Sequence, residues 1–137
     1  MSDCIFCNLA TGEIPSATLY EDDDFRVILD LGPATKGHAL LLPKTHAANL
    51  YELPDETAQK AALVIKKMAG VLTKAMDADG FNVVQNNGEA AGQTVFHFHV
   101  HMIPRHKGDD AVRLWKPGTL TDEARDEILA KVSEAMK

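Results

Sequence analysis

The stretch FHFHVHMI, residues 96–103, decides the fold that we predict. Successive side chains of a β-strand point to opposite faces of a sheet, so residues two apart share a face. His97, His99 and His101 are therefore expected on one face of a strand, and the apolar residues that alternate with them, beginning with Phe96, on the face toward the core. One face is suited to packing and the other to chemistry.

The segments on either side of this stretch supply the rest of an α+β fold. Alternation and β-branched or aromatic residues predict strands, whereas apolar residues at every third or fourth position predict helices. The predicted strands are Thr18–Tyr20, Phe25–Leu29, His38–Leu42, Phe81–Gln85 and Val95–Ile103, and Pro104 closes the last one. The predicted helices are Ile5–Ala10, Asp55 to about Met76, and residues 121–136. We expect a five-stranded, largely antiparallel sheet packed against helix on one face, with the long helix between strands 3 and 4, plus a C-terminal helix.

The length and charge of the chain limit what it can be. It has 137 residues, 45% of them hydrophobic and 25% charged, which predicts one globular domain over residues 1–137. Fourteen Lys and Arg against twenty Asp and Glu give a net charge of -6. An acidic surface repels phosphate backbones and anionic membranes, so we expect neither nucleic acid nor membrane as a partner. Any phosphate substrate needs a local positive pocket.

The sequence predicts a cytoplasmic protein with two reduced cysteines. No apolar stretch is long enough to span a bilayer, and Met1-Ser2-Asp3 lacks the basic start of a signal peptide. Cys4 and Cys7 are spaced C-x-x-C, and a reducing cytosol argues against a structural disulfide between them. A thioredoxin-type redox pair needs a strand leading into its first cysteine, and only three residues precede Cys4. Metal binding is therefore favoured over redox chemistry.

Three alternating imidazoles suit either a phosphate or a metal ion. Adjacent histidines lie roughly 6 to 7 Å apart along a strand, close enough to share one such group. A catalytic zinc site commonly takes three protein ligands, so the spacing alone leaves both chemistries open. The preceding loop, NNGEAAGQT at residues 86–94, favours phosphate. Its glycines let backbone N–H groups approach an anion, and its short polar side chains can bind phosphate oxygens.

Together these features resemble the histidine triad (HIT) superfamily, and within it the Hint-like branch of nucleotide hydrolases. The resemblance covers about residues 4–106 and rests on the histidine triplet, Gly92–Val95, Asp30 eight residues before His38, and Pro43-Lys44-x-His46. It implies a single HIT domain with a C-terminal extension, and a homodimer whose sheets join across the interface. It also implies hydrolysis or transfer at the α-phosphate of a purine nucleoside phosphoramidate or a related nucleotide conjugate.

The resemblance assigns catalytic roles to three histidines. His99 would be the nucleophile and form a nucleotidyl-histidine intermediate that water later cleaves. His101 would contact phosphate and assist proton transfer to the leaving group, and His38 would orient the cluster. The chemistry is sound on its own terms, because neutral imidazole is a competent nucleophile near pH 7 and covalent catalysis divides one hard displacement into two easier steps. No catalytic metal is required.

The resemblance also assigns substrate contacts. Asn86, Gln93 and Thr94 would hold phosphate and leaving-group atoms, with the backbone N–H of Gln93 or Thr94 stabilising charge in the transition state. The family more often has Ser at the position of Thr94, and Thr keeps the hydroxyl. Asp30 would hydrogen-bond the ribose hydroxyls. The apolar residues that would sandwich the base are Ile5, Phe6, Leu9, Ile28 and Leu31.

A subset of bacterial-type members carries zinc on C-x-x-C and two histidines. In this sequence the corresponding residues are Cys4, Cys7, His46 and His97. Four such ligands make a closed tetrahedral site, so the implied Zn²⁺ is structural. It would pin the N-terminal segment to the sheet and leave the other histidines free for catalysis.

Two alternatives stay open at this point. The first is a nucleotide-binding regulatory or interaction module without significant turnover, which the presence of His99 disfavours. The second is a metallohydrolase that uses the histidine triplet as ligands. Trp115 lies beyond the matched residues, and we expect it to pack at the dimer interface or over the pocket rather than to act in catalysis.

Overall fold

The computed structural model describes residues 1–137 as three α-helices and a five-stranded sheet. The helices are α1 (Ile5–Thr11), α2 (Asp55–Ala75) and α3 (Asp122–Ala135), and a 3₁₀ turn covers Glu89–Ala91. The strands are β1 (Thr18–Glu21), β2 (Phe25–Leu29), β3 (Ala39–Pro43), β4 (Gly80–Val84) and β5 (Val100–Arg105). None of the helices has the length and apolar character that a membrane span requires.

The sheet has the strand order β1-β2-β3-β5-β4, and every neighbouring pair is antiparallel. Its first hairpin is closed by local turn chemistry, because the Asp22 carboxylate accepts hydrogen bonds from the N–H groups of Asp24 and Phe25, both at 2.8 Å. In the sequence, α2 lies between β3 and β4. The predicted α+β fold, with a long helix in this position and a C-terminal helix, is confirmed.

The central strand β3 is buried along its whole length because both of its faces are covered. Ala39 and Leu41 belong to the main apolar core together with the buried side of α2. Leu40 and Leu42 point to the opposite face, where they pack with Ala10 of α1. The prediction of helix on one face of the sheet is therefore incomplete, since α1 covers part of the second face.

The histidine strand starts later than its alternation predicts. β5 begins at Val100, so the predicted start at Val95 is wrong, and His97 and His99 lie in the turn that leads into the strand. The backbone explains the difference, because the Phe98 N–H donates to the carbonyl of Ala47 at 2.7 Å instead of joining a strand ladder. His97 and His99 are therefore held by individual hydrogen bonds, and only His101 belongs to the regular strand.

Two further details of this segment differ from the prediction. Phe96, expected on the core face, is 53% exposed, because the chain there has not yet entered the sheet. Pro104 lies inside β5 instead of closing it. Its carbonyl accepts a hydrogen bond from the Thr35 hydroxyl at 2.7 Å, on the side where β3 has already ended. The missing N–H of Pro104 points to that same side, so no ladder hydrogen bond is lost there.

The C-terminal segment contributes nothing to the core of the chain. Thr121 caps α3 as predicted, since its hydroxyl accepts a hydrogen bond from the Ala124 N–H at 3.1 Å. No residue of α3 is buried, and its apolar residues Ile128 and Val132 are about half exposed. Trp115 is 81% exposed, so the packing expected for it is not found within the chain.

Candidate active site

His99 is buried and held in one tautomer by a backbone carbonyl. Its Nδ1 lies 2.7 Å from the carbonyl oxygen of His97. A carbonyl only accepts hydrogen bonds, so Nδ1 of His99 carries the proton and Nε2 keeps its lone pair. The ring of Phe6 stands edge-on against this imidazole, with centroids 4.8 Å apart at an interplanar angle of 88°. The arrangement leaves Nε2 without its proton and the ring fixed.

His38 and His101 form a hydrogen-bonded chain that a second backbone group orients. The Ala34 N–H donates to Nδ1 of His38 at 2.9 Å, so neutral His38 carries its proton on Nε2. That Nε2 lies 3.0 Å from Nδ1 of His101 and 3.5 Å from the Asp30 carboxylate. Neutral His101 therefore accepts at Nδ1 and carries its own proton on Nε2. This hydrogen bond is compatible with the orienting role of His38, which stays a prediction.

Burial keeps His38 and His101 uncharged near pH 7. Burial, together with the neighbouring His99 and His38, lowers the pKa of His101 to about 4, against an opposing effect of Asp30. Burial also lowers the pKa of His38, again opposed by Asp30. The pKa of His97 is lowered by burial as well, although its hydrogen bond to Pro43 opposes the shift. Neutral imidazoles are the form that nucleophilic catalysis and metal ligation both require.

The three histidines of the triplet do not converge on one point, which removes the geometric basis of a metallohydrolase. His97 faces the two cysteines, and His101 faces Asp30 and His38. The second of these groups also fits a metal poorly. A metal on Nε2 of His38 would require the proton to sit on Nδ1, where it would oppose the Ala34 N–H. This group is better described as a hydrogen-bonded chain.

A pocket of about 340 Å³ opens beside the cluster, between α1, β2 and β3. Its polar lining includes His99, His101, Thr94 and Asp30. The residues expected to sandwich a base belong to its apolar lining, with one exception: Phe6, Leu9, Ile28 and Leu31 line the pocket. Ile5, the exception, is 53% exposed and does not line it. An apolar slot that ends in imidazoles and a carboxylate suits a flat, partly polar ligand with an anionic group.

The loop before the histidines presents backbone donors to the pocket. The N–H groups of Thr94 and Val95 make no hydrogen bond within the protein, and both residues line the pocket. Gly88 and Gly92 adopt positive φ angles of 89° and 100°, which lets the loop turn back sharply. Backbone N–H groups that have no partner in the protein can donate hydrogen bonds to phosphate oxygens, so this loop can bind a phosphate beside the imidazole cluster.

Gln93 and Asn86 lie outside the pocket lining. Gln93 is 2% exposed, and its amide is used within the protein: Oε1 accepts from the Gly88 N–H at 2.8 Å and Nε2 donates to the Ala48 carbonyl at 2.6 Å. The Asn86 amide lies close to Gly92. The contacts of both side chains with substrate stay a prediction.

Two cysteines and two histidines converge at the N-terminal end of α1. Both sulfurs approach Nδ1 of His97, Cys4 at 3.5 Å and Cys7 at 3.4 Å. Nδ1 of His46 lies 3.3 Å from the Cys7 sulfur and 3.2 Å from Nδ1 of His97. All four donor atoms lie within 4.8 Å of one another. The predicted ligand residues are therefore brought together.

The chemistry of these four donors fits a tetrahedral metal ion. Zinc–sulfur distances of about 2.3 Å and zinc–nitrogen distances of about 2.0 Å separate sulfur and nitrogen ligands by about 3.5 Å at the tetrahedral angle, close to the spacings found. Nε2 of His97 lies 2.9 Å from the Pro43 carbonyl, so its proton sits there and the Nδ1 lone pair faces the sulfurs. Burial and then Cys4 raise the pKa of the Cys7 thiol, an effect that a bound cation would reverse. The cluster can hold a metal.

Some contacts that build the site leave no mark in the sequence. The Ala34 N–H fixes the His38 tautomer, yet a backbone donor does not depend on the residue type. The Thr35 hydroxyl ties the same loop to β5 through Pro104. The only sequence feature that indicates this contact is Thr35 itself, which lies between Gly32-Pro33 and Gly37-His38. Threonine in a loop is too common to identify such a contact from the sequence.

Comparison with known proteins places this geometry in a family. Residues 11–108 match the HIT domain family. Adenosine 5'-monophosphoramidase HNT1 of Saccharomyces cerevisiae is 40% identical over 134 residues, 94% of this chain and 82% of that protein. A HIT family member from Bacillus subtilis superposes with a TM-score of 0.89 at 39% identity, covering 97% and 96% of the two chains. A zinc-bound histidine triad family protein from Mycobacterium smegmatis has a TM-score of 0.76 at 38% identity, over 97% of both chains.

An antiparallel sheet that carries a buried histidine cluster beside an apolar pocket defines the histidine triad class of proteins. The family match spans most of the chain, and the yeast relative is similar over nearly all of it. The chain belongs to the HIT family.

Proposed function

We propose that this HIT-family nucleotide hydrolase cleaves purine nucleoside phosphoramidates or related nucleotide conjugates at the α-phosphate, with His99 as the nucleophile. The observation that carries the proposal is the hydrogen bond from Nδ1 of His99 to the His97 carbonyl, which leaves Nε2 unprotonated beside the pocket. The similarity to an enzyme named adenosine 5'-monophosphoramidase supports the substrate class.

In the first step, Nε2 of His99 attacks the α-phosphorus. The bond between phosphorus and the leaving nitrogen breaks, and its electron pair stays with that nitrogen. His101, in its protonated form, delivers the proton that the leaving amine needs from Nε2 and is left neutral. The negative charge of the bound phosphate favours protonation of His101 and so counteracts the effect of burial on its pKa.

In the second step, water hydrolyses the nucleotidyl-His99 intermediate. Neutral His101 accepts a proton from the attacking water, and the bond from phosphorus to Nε2 of His99 breaks, which restores the lone pair. The N–H groups of Thr94 and Val95 stabilise negative charge on the phosphate oxygens in both steps. Covalent catalysis of this kind replaces one displacement by two easier ones.

The pocket supports the remaining substrate contacts of the proposal. The base lies in the apolar end between α1 and β2, where Phe6, Leu9, Ile28 and the rim residue Leu31 provide the walls. Asp30 binds the ribose hydroxyls at the polar end. The resemblance adds Ile5, Asn86 and Gln93 to the proposed contacts. None of the three lines the pocket, so each would have to move, or the substrate would have to extend, before it touches the substrate.

The metal of the cysteine site is, in this proposal, a structural zinc ion. Cys4, Cys7, His46 and His97 would hold it, and the zinc-bound relative from Mycobacterium smegmatis supports its identity. Zinc bound there supplies a cross-link and no chemistry at the phosphate, because all four positions of the tetrahedron are occupied by protein. Catalysis then requires no other metal. A cytoplasmic location, where both thiols stay reduced, accompanies the proposal.

We also propose a homodimer in which two sheets join. β4 is an edge strand, and beside it an apolar groove of about 240 Å³ is bounded by α2 and the end of the histidine turn. Val83, Ile65 and Phe98 are among its lining residues. An open strand edge next to an apolar groove is a surface that pairing with a second copy would cover.

Trapping the intermediate tests the proposed chemistry. Wild-type protein quenched during turnover of adenosine phosphoramidate should carry one AMP adduct on His99, detected by intact mass and peptide mapping. His99→Ala should lose turnover by roughly 10³-fold or more and form no adduct, while calorimetry still detects AMP binding. His106→Ala, whose side chain is exposed and does not line the pocket, is the control and should keep wild-type turnover. Unchanged turnover in His99→Ala would remove the nucleophile, and tight AMP binding without turnover in wild type would favour a binding module.

A further inference from the structure

The two cysteine sulfurs are placed for a reaction with each other as well as with a metal. Cys4 is the N-cap of α1, and its sulfur accepts a hydrogen bond from the Cys7 N–H at 3.4 Å. Residues at the N-cap and three positions later lie about one helical turn apart, within the Cα separation of roughly 4.4 to 6.8 Å that a disulfide spans. Both residues are partly exposed. An oxidant therefore has access to two adjacent sulfurs.

We propose that the Cys4–Cys7 pair is an oxidative modification site, at which a peroxide converts the two metal-ligating thiolates into a disulfide and dismantles the metal site. Each sulfur loses one electron and one S–S bond forms. The two electrons, with two protons from solvent, reduce hydrogen peroxide to two water molecules. The metal ion leaves as a hydrated cation, because a disulfide no longer offers thiolate ligands.

The consequence reaches the pocket because α1 is held at its two ends by different means. At the C-terminal end, Ala10 is fully buried and its carbonyl accepts a hydrogen bond from the Arg26 guanidinium at 3.0 Å. At the N-terminal end, Cys4 and Cys7 connect the helix to His46 and His97 through the shared metal site. Oxidation releases the second end and leaves the first in place. The helix should therefore loosen without leaving the sheet.

Two residues of the pocket depend on the end that is released. Phe6 lies between the two cysteines and packs edge-on against His99. The carbonyl that fixes the tautomer of His99 belongs to His97, itself a member of the cysteine cluster. Loss of the cross-link is thus expected to weaken the apolar wall and the alignment of His99 together. We expect the Kd for AMP to rise roughly three- to tenfold, because a change of this size corresponds to the loss of about one aromatic contact. A parallel fall in turnover rests on the proposed function.

Peroxide titration of the full-length, zinc-loaded protein tests the inference. Three quantities are followed: zinc released to a chromogenic chelator, the disulfide by peptide mass after alkylation, and the Kd for AMP by calorimetry. We expect one zinc released for each Cys4–Cys7 disulfide formed, the weaker AMP binding given above, and recovery of both by dithiothreitol with added zinc. Zinc that stays bound in an excess of peroxide, shown by oxidation of a free thiol added to the same solution, would overturn the proposal. Zinc release without the disulfide would overturn it as well.

A matched variant separates disulfide formation from general oxidative damage. Cys7→His keeps four metal-binding side chains but only one thiol, so it cannot form the internal disulfide. It should retain zinc at a peroxide dose that empties the wild-type site, and equal release from both proteins would contradict the inference. If this variant does not bind zinc, the wild-type disulfide mapping still decides the matter.

The outcomes also separate this inference from the proposed function. Disulfide formation and zinc release with an unchanged Kd for AMP would refute the link to the pocket. Reduced, zinc-loaded protein that binds AMP but does not turn over adenosine phosphoramidate would refute the proposed function and leave the modification site standing.

Discussion

The tautomer of each histidine in the cluster is set by a single neighbouring group. The His97 carbonyl holds the proton of His99 on Nδ1, and the Ala34 N–H holds that of His38 on Nε2. His101 then receives its orientation from His38. Because imidazole has two inequivalent nitrogens, such assignments decide which atom attacks and which donates a proton.

The titration of His101 tests the electrostatic account of the site. In the protein without nucleotide, burial should hold its pKa at about 4, below the ordinary value of 6.5. Binding of AMP should raise this pKa, because the phosphate charge stabilises the imidazolium. Heteronuclear NMR of the imidazole nitrogens from pH 3.5 to 8 measures both values. A pKa that falls or stays constant on AMP binding would contradict the proposed proton-transfer role.

The same shift sets the sign of the pH dependence of stability. Between pH 6.5 and about 4 the unfolded chain binds a proton at His101 that the folded chain does not, so the free energy of unfolding falls as the pH is lowered through this range. His101→Gln removes this contribution. Its melting temperature should therefore depend less on pH between 6.5 and 4.5 than that of the wild type.

Which histidines and cysteines lie together could be predicted from the sequence, but several of their contacts could not, and their roles stay predictions. The histidines and cysteines are rare residue types at strict spacing, and the structure brings each to its expected partners. The sequence does not indicate that the side-chain amide of Gln93 forms its hydrogen bonds with the Gly88 N–H and the Ala48 carbonyl. Ile5 is exposed because the side chain of the residue next to it on α1, Phe6, turns to the pocket instead.

At the scale of secondary structure, alternation predicts the face of a side chain better than the extent of a strand. His101 is paired with Leu40 on the face that α1 covers, as the two-residue period requires. His97 and His99 are interior without belonging to β5, because hydrogen bonds to Pro43 and His97 hold their rings. A strand boundary depends on where its neighbour ends, which is tertiary information.

Two glycines provide a matched test of the helices. Gly12 ends α1 with φ at +88°, and an added Cβ would lie 2.8 Å from the Arg26 guanidinium. Gly70 lies inside α2 with nothing within 4 Å of an added Cβ. Gly12→Ala should lower the free energy of unfolding by about 1 to 2 kcal/mol, whereas Gly70→Ala should raise it by about 0.5 to 1 kcal/mol.

Urea denaturation with zinc present in both variants measures these changes. The opposite signs are the essential result, because one mutation forces an unfavourable backbone conformation and the other restricts only the unfolded chain. Equal effects in the two variants would show that α1 does not need its left-handed C-cap.

At the scale of the whole molecule, one edge of the sheet and one tail remain uncovered. Val83 on the edge strand β4 is 49% exposed, and the apolar residues of α3 and Trp115 are exposed as well. Exposed apolar surface of this extent is typical of a protein that associates. The proposed homodimer covers the β4 edge.

A charge on the edge strand tests the dimer. Val83→Lys should convert the dimer into a monomer, because lysine on an edge strand opposes pairing and an already exposed position costs the fold little. Light scattering coupled to size exclusion should show the molar mass halved. Leu63→Lys, on the opposite side of α2 from the groove, is the control and should stay dimeric. A wild-type protein that is monomeric at micromolar concentration would refute the proposed assembly.

The cysteine cluster joins parts of the chain that are synthesised far apart in time. His46 follows Cys7 by 39 residues and His97 follows it by 90, so a nascent chain exposes two thiols long before the fourth ligand exists. Ribosomal synthesis proceeds from the N-terminus, and contacts of such sequence separation form late. The ligand set is complete only when β3 and the histidine turn are in place beside α1. The proposed zinc would therefore bind only when folding is nearly complete, and the zinc content of a preparation should report the fraction that has reached the native state.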